Sequence, residues 1–107
     1  MTERTNYEKE LTPIFASQKN FGGHAKTRTD KGENCEYHLL FSYEIFIIEL
    51  KEFANGEKII NAITDNDKHF TPTTLKHLNE FMQQNNMPSH AKKEWLKIQE
   101  NTVNNEN

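Results

Sequence analysis

A chain of 107 residues with 34% apolar side chains and a formal charge of −3 is sized for one domain with a modest core. It lacks the excess of Lys and Arg on which a nucleic-acid-coating protein depends, and it contains no run of about 18 apolar residues that could cross a membrane as a helix. Its polar start, MTERTNYEKE, has no secretion-signal pattern, so a cytoplasmic location is expected.

Taken in chain order, Tyr7, Leu11, Ile14 and Phe15 fall on one helical face. Thr12-Pro13 reads as a cap and first helical position. The pattern predicts a helix over 13–20, with residues 3–11 free to form a separate helical turn and Gly22-Gly23 ending the segment. His24 to Thr29 suits a short strand, and Asp30 to Asn34 a turn. Cys35 to Leu50 carries the strongest strand signal, rich in aromatic and β-branched residues. It is long for one strand, so a hairpin break is expected near Ser42-Tyr43-Glu44. The second arm is apolar in both phases, which predicts the central strand. Asn55-Gly56 marks a turn, Lys58 to Thr64 a further strand, Asp65 to Asp67 another turn, and Lys68 to Phe70 a short edge strand.

Thr71-Pro72 opens the clearest helix, with Leu75, Leu78, Phe81 and Met82 as its buried stripe and Asn85-Asn86 as its stop. Ser89 is placed as the cap of a last helix running to about Gln99, with Ala91, Trp95 and Ile98 facing inward. The fold class is therefore α+β: an antiparallel sheet of three to four strands packed against an N-terminal helix and one or two C-terminal helices. Residues 1–100 form the single domain and 101–107 a polar flexible tail.

The residues that could carry chemistry do not assemble into a recognisable catalytic motif. His24, His38, His69, His77 and His90 show no i, i+4 pair and no His-Glu-x-x-His. Cys35 is the only cysteine, which rules out an internal disulfide or a thiolate cluster. Glu44 and Glu49 are offset by an odd number, which puts them on opposite faces of a regular strand. Ser17, Ser42 and Ser89 lack the strand–turn–helix setting of a nucleophile elbow. Tyr37, Phe41, Tyr43 and Phe46 could stack on bases, but acidic residues lie among them, and core packing is the favoured reading. Thr73 and Thr74 at the helix start read as structural capping. No catalytic residue, metal or cofactor is assigned, and the chain is expected to bind rather than to catalyse.

The charge is uneven. Glu44, Glu49, Glu52, Glu57, Asp65 and Asp67 make an acidic middle, predicted to contact a basic groove on a protein partner. The alternative is a nucleic-acid accessory role for Lys26, Arg28 and Lys31 beside His24, with Lys92, Lys93 and Lys97 on the last helix.

The runs NFGGHAK, LLFSYEIFIIEL, HFTPTTLKHLNEFMQQN and AKKEWL, in that order, span residues 13–98 approximately. They resemble a family of small uncharacterised proteins of phages and other mobile elements. Ser42 and Tyr43 match its strand motif, and Thr73, Thr74, His77, Leu78 and Phe81 match its helix motif. Ile45 stands where that strand has threonine, and the acidic 51–67 stretch lengthens the middle. The resemblance implies binding to host machinery in a bacterial cytoplasm, in the manner of an anti-CRISPR inhibitor. The expected partner is a host protein such as an RNA-guided CRISPR nuclease or its guide-RNA complex, whose nucleic-acid channel is positively charged. No membrane and no direct DNA binding are expected.

Overall fold

Hairpin turns and alternating side chains organise most of this molecule. A computed structural model describes residues 7–104. Five strands, β1 (Tyr7–Glu10), β2 (Ala25–Gly32), β3 (Cys35–Ser42), β4 (Ile45–Phe53) and β5 (Lys58–Ile63), pair antiparallel in sequence order as one meander. A single 3-10 turn, Asp67–His69, leads to helices α1 (Pro72–Gln84) and α2 (Lys92–Asn104).

The β3–β4 hairpin breaks where the sequence predicted. Tyr43 and Glu44 both take positive φ, 52° and 66°, the conformation that matches a two-residue turn to the twist of its strands. Phe41 pairs with Phe46 while Leu40 pairs with Ile48, so Ile47 is an extra residue in β4. This bulge buries Ile47 and Ile48 together and explains the apolar character of both phases. The strand order corrects the expectation that β4 is central: β3 occupies the middle of the sheet.

One sheet face carries both helices. Leu40, Ile48, Leu50 and Ile63 pack there against Leu78, Phe81 and Met82 of α1 and Trp95 of α2. Thr71 caps α1 by accepting from the Thr74 amide at 3.2 Å, and Pro72 takes the first turn. α2 is locked through Asn79, which accepts from Trp95 Nε1 at 2.9 Å and from the His90 amide at 3.0 Å.

The predicted N-terminal helix over 13–20 is wrong. Residues 7–10 form strand β1, paired with 26–29, and residues 11–20 form a bent loop. Here the amides of Ile14, Phe15 and Ala16 all donate to the Glu80 carboxylate of α1, at 2.8–3.2 Å. Leu11 and Phe21 anchor the loop in the core, leaving Ile14 and Phe15 exposed. Residues 3–6 of the alternative helical turn lie outside the described residues.

The sheet has five strands rather than three or four because β1 adds an edge to β2, and β2 itself runs on to Gly32. Lys68–Phe70 is no strand. Asn66 accepts from the Lys68 amide, and the Thr64 hydroxyl meets His69 Nδ1 at 2.6 Å, which closes a 3-10 turn instead. α2 starts at Lys92, after the predicted cap at Ser89, with the Ala91 carbonyl accepting from the Trp95 amide. It continues to Asn104; residues 105–107 of the predicted tail lie outside the described residues.

Candidate binding face

The register of the sheet sorts its side chains. Ser42 and Leu40 point to the helices, so their neighbours in the other phase, Phe41, Leu39 and Tyr37, point away. Cross-strand pairing carries that open face outward, to Lys26, Arg28 and Asp30 on β2 and to Phe46, Glu49, Lys51 and Phe53 on β4. It reaches Ile59 and Ala62 on β5. Among the described residues, no helix or loop covers this face.

Its side chains cover one another. Phe41 and Phe46 meet edge to face at 6.1 Å. The Arg28 guanidinium lies 5.5 Å from the Phe41 ring centre, and Lys51 Nζ lies 5.1 Å from Phe53 and 5.9 Å from Tyr37. Arg28 is fixed from the side by two 3.0 Å bonds to Asp30, and Glu49 accepts from Asn61 at 2.8 Å. Under this layer Leu39 is only 6% exposed although it lies outside the main core. Ile59, at 43%, is the most open apolar side chain of the face. The Tyr37 phenol is held above its ordinary pKa, first by its side-chain hydrogen bond with Cys35 and by the Cys35 charge, then by burial and the Glu49 carboxylate.

The acidic contacts named from the sequence do not form one patch. Glu49 lies on the open face, whereas Glu52 points to the helix side and bonds to His38 at 2.8 Å. Glu44 and Glu57 sit in turns at opposite ends of β4, and Asp65 and Asp67 lie between β5 and α1. The basic set is also divided. Lys26 and Arg28 lie on the open face, while Lys31 is in the opposite phase and pairs with Glu36 at 3.0 Å. Lys92, Lys93 and Lys97 project from α2, across the sheet from Lys26 and Arg28.

The motif residues Ser42, Thr74 and His77 do converge. Ser42 Oγ lies 2.8 Å from Thr74 Oγ1 and 2.9 Å from His77 Nδ1, and all three residues are buried. Burial, and then the neighbouring His24, lowers the His77 pKa and favours the neutral ring. Phe21 packs edge to face on His77 at 4.6 Å, and Tyr43 stacks on His24 at 4.5 Å. A Ser–His contact is the start of a nucleophilic site, but a nucleophile must reach its substrate. Ser42 is 1% exposed, and the cluster joins the β3–β4 turn to α1.

Sequence pattern alone places Tyr37, Phe41 and Phe46 in the core and gives Lys51, Phe53 and Ile59 no distinct role. The available signal was that β3 concentrates its aromatic residues, Tyr37 and Phe41, in one phase and that β4 is apolar in both. An antiparallel sheet covered on one side normally alternates apolar with polar.

The chain belongs to a family of unknown function (DUF8033), whose model matches residues 9–97, from β1 into α2. No curated protein and no solved structure matches it. Among the described residues, no helix is long and apolar enough to cross a membrane.

Proposed function

We propose that this protein works by docking a protein partner on the open face of its sheet and carries out no reaction of its own. One observation carries the reading: half-buried Tyr37, Phe41, Phe46 and Phe53 and exposed Ile59 lie around the buried Leu39 on a face that no described element covers. Contiguous exposed apolar surface marks interaction sites. An aromatic centre with charges at its margin is the usual anatomy of a protein–protein interface, and Tyr and Arg are frequent anchors there.

The charges of the face favour protein over nucleic acid. Lys26, Arg28 and Lys51 are matched by Asp30 and Glu49, and by Glu8 and Glu10, which stand opposite Arg28 and Lys26 in the β1–β2 register. A surface that tracks phosphates needs an excess of cations. The resemblance to mobile-element proteins supports a host defence protein, such as an RNA-guided nuclease, as the partner in a bacterial cytoplasm. The net charge of −3 suits that choice, being opposite in sign to the nuclease channel.

The test is a Phe46→Asp, Ile59→Asp double variant, which places two carboxylates in the face and leaves the helix-side core intact. Its melting curve by circular dichroism is expected to stay close to that of the parent. Capture of the partner from host lysate should fall roughly tenfold or more, the scale of losing an interface anchor. Glu44→Lys with Glu57→Lys, in the turns, should keep capture. Undiminished capture by the double variant contradicts the reading. Salt-sensitive binding of single-stranded RNA that disappears with Lys26→Glu and Arg28→Glu would replace the protein partner with nucleic acid.

A further inference from the structure

A separate cluster lies on the helix side of the sheet, beyond the core. Glu36 and His38 are two apart on β3, so they share a face. Glu52 on β4 stands directly opposite Glu36 in the register. Like charges directly opposite each other destabilise a sheet, so this pairing calls for positive charge between the two carboxylates. His38 Nε2 lies beside them, 2.8 Å from Glu52 Oε1 and 3.8 Å from Glu36 Oε1. One ligand atom from each of the three residues lies within 4.8 Å of the others. Ligand atoms around a four-coordinate zinc, with bonds of about 2.0–2.2 Å, stand roughly 3.3–3.6 Å apart. Side-chain adjustments of less than an ångström, roughly, would therefore bring all three onto one ion.

Neighbouring groups already orient the cluster. Thr29 Oγ1 lies 3.4 Å from His38 Nδ1, the ring nitrogen turned away from the carboxylates. Lys31 holds the second oxygen of Glu36 at 3.0 Å and leaves Oε1 toward the histidine. Groups outside the ligand set that fix the tautomer and direction of the ligands are a regular feature of metal sites. All three side chains are half-buried, so the cluster is partly shielded yet open to solvent for a further ligand.

We propose that Glu36, His38 and Glu52 form a binding site for a first-row divalent transition ion, with Zn²⁺ the best chemical match. One imidazole nitrogen with two carboxylate oxygens suits zinc and its neighbours, whereas Mg²⁺ and Ca²⁺ favour all-oxygen shells. The sequence signal for the site is Glu-x-His at strand spacing; a search at helical spacing passes over it.

Titrating the full chain with zinc chloride in a calorimeter is the test. The parent should show a saturable micromolar site and a melting temperature that rises with zinc. Glu36→Gln, His38→Gln and Glu52→Gln, each checked for folding by circular dichroism, should weaken binding at least about tenfold, and Thr29→Val by roughly tenfold through loss of orientation. Cys35→Ser should leave binding unchanged, and excess Mg²⁺ should not displace the zinc. The absence of saturable binding, or binding that survives Glu36→Gln and His38→Gln, overturns the site. Equal displacement by Mg²⁺ overturns the choice of a transition ion.

Discussion

Replacing Glu80 by glutamine should destabilise the protein by about 3 kcal/mol, the scale of losing charge-assisted bonds inside a buried network. Glu80 is 2% exposed. Its oxygens accept from the amides of Ile14, Phe15 and Ala16 and from Gln84 Nε2 at 2.6 Å. Glutamine keeps the shape but turns an NH₂ donor toward backbone donors, which leaves amides of the loop unpaired. The same geometry sets the acid response. Burial pushes the Glu80 pKa up, but the bonds from Gln84, Ile14, Phe15 and Ala16 together outweigh it, and the net shift is downward. A lowered folded-state pKa contributes stability above the ordinary glutamate range. That contribution is lost as pH falls through the lowered value. Urea unfolding at neutral pH and again below about pH 4 checks both parts, because the gap between parent and Glu80→Gln should narrow in acid. The amides of 14–16 should also lose hydrogen-exchange protection in the variant. Equal stability at neutral pH would show that the carboxylate does not hold the loop.

Trp95→Ala should cost about 3–5 kcal/mol, the range for deleting a large aromatic from a close-packed core. The indole is fully buried and is the largest side chain in the core. It places α2 in the core that also holds Leu78, Phe81 and Met82, and its Nε1 donates to Asn79. Trp95→Phe should lose roughly 1–2 kcal/mol. Most of the packing remains there, and Asn79 Oδ1 still accepts from the His90 amide. Denaturation followed by far-ultraviolet circular dichroism separates the two. Near-parent stability of Trp95→Ala would mean that α2 is not seated through this residue.

The parts that were legible in the sequence are those whose causes are local. Thr71-Pro72 states the start of α1 within two residues, and the Asn55-Gly56 and Ser42–Glu44 turns lie where chain reversal is needed. The N-terminal segment was not legible because its decisive partner is distant: Ile14 and Glu80 are separated by 66 positions. Apolar spacing over 7–15 mimics a helix, but a carboxylate on α1 gathers the amides of Ile14, Phe15 and Ala16 and holds the segment as a loop. The proposed docking face was half legible. Alternation placed Tyr37, Leu39 and Phe41 in one phase correctly, yet it does not say which phase the helices cover, and the aromatic phase is the uncovered one. The acidic middle was visible as composition, but turns at opposite ends of β4 and a change of face between Glu49 and Glu52 disperse it. Glu36, His38 and Glu52 come together only through the β3–β4 register.

Hydroxyl-radical footprinting of the chain, free and in complex with its captured partner, tests the docking face most directly. The account predicts that oxidation of Tyr37, Phe41, Phe46 and Phe53 falls in the complex while that of Ile14 and Phe15, in the loop held by Glu80, stays unchanged. Protection confined to that loop or to the helices, with the sheet aromatics as reactive as in the free chain, would contradict it.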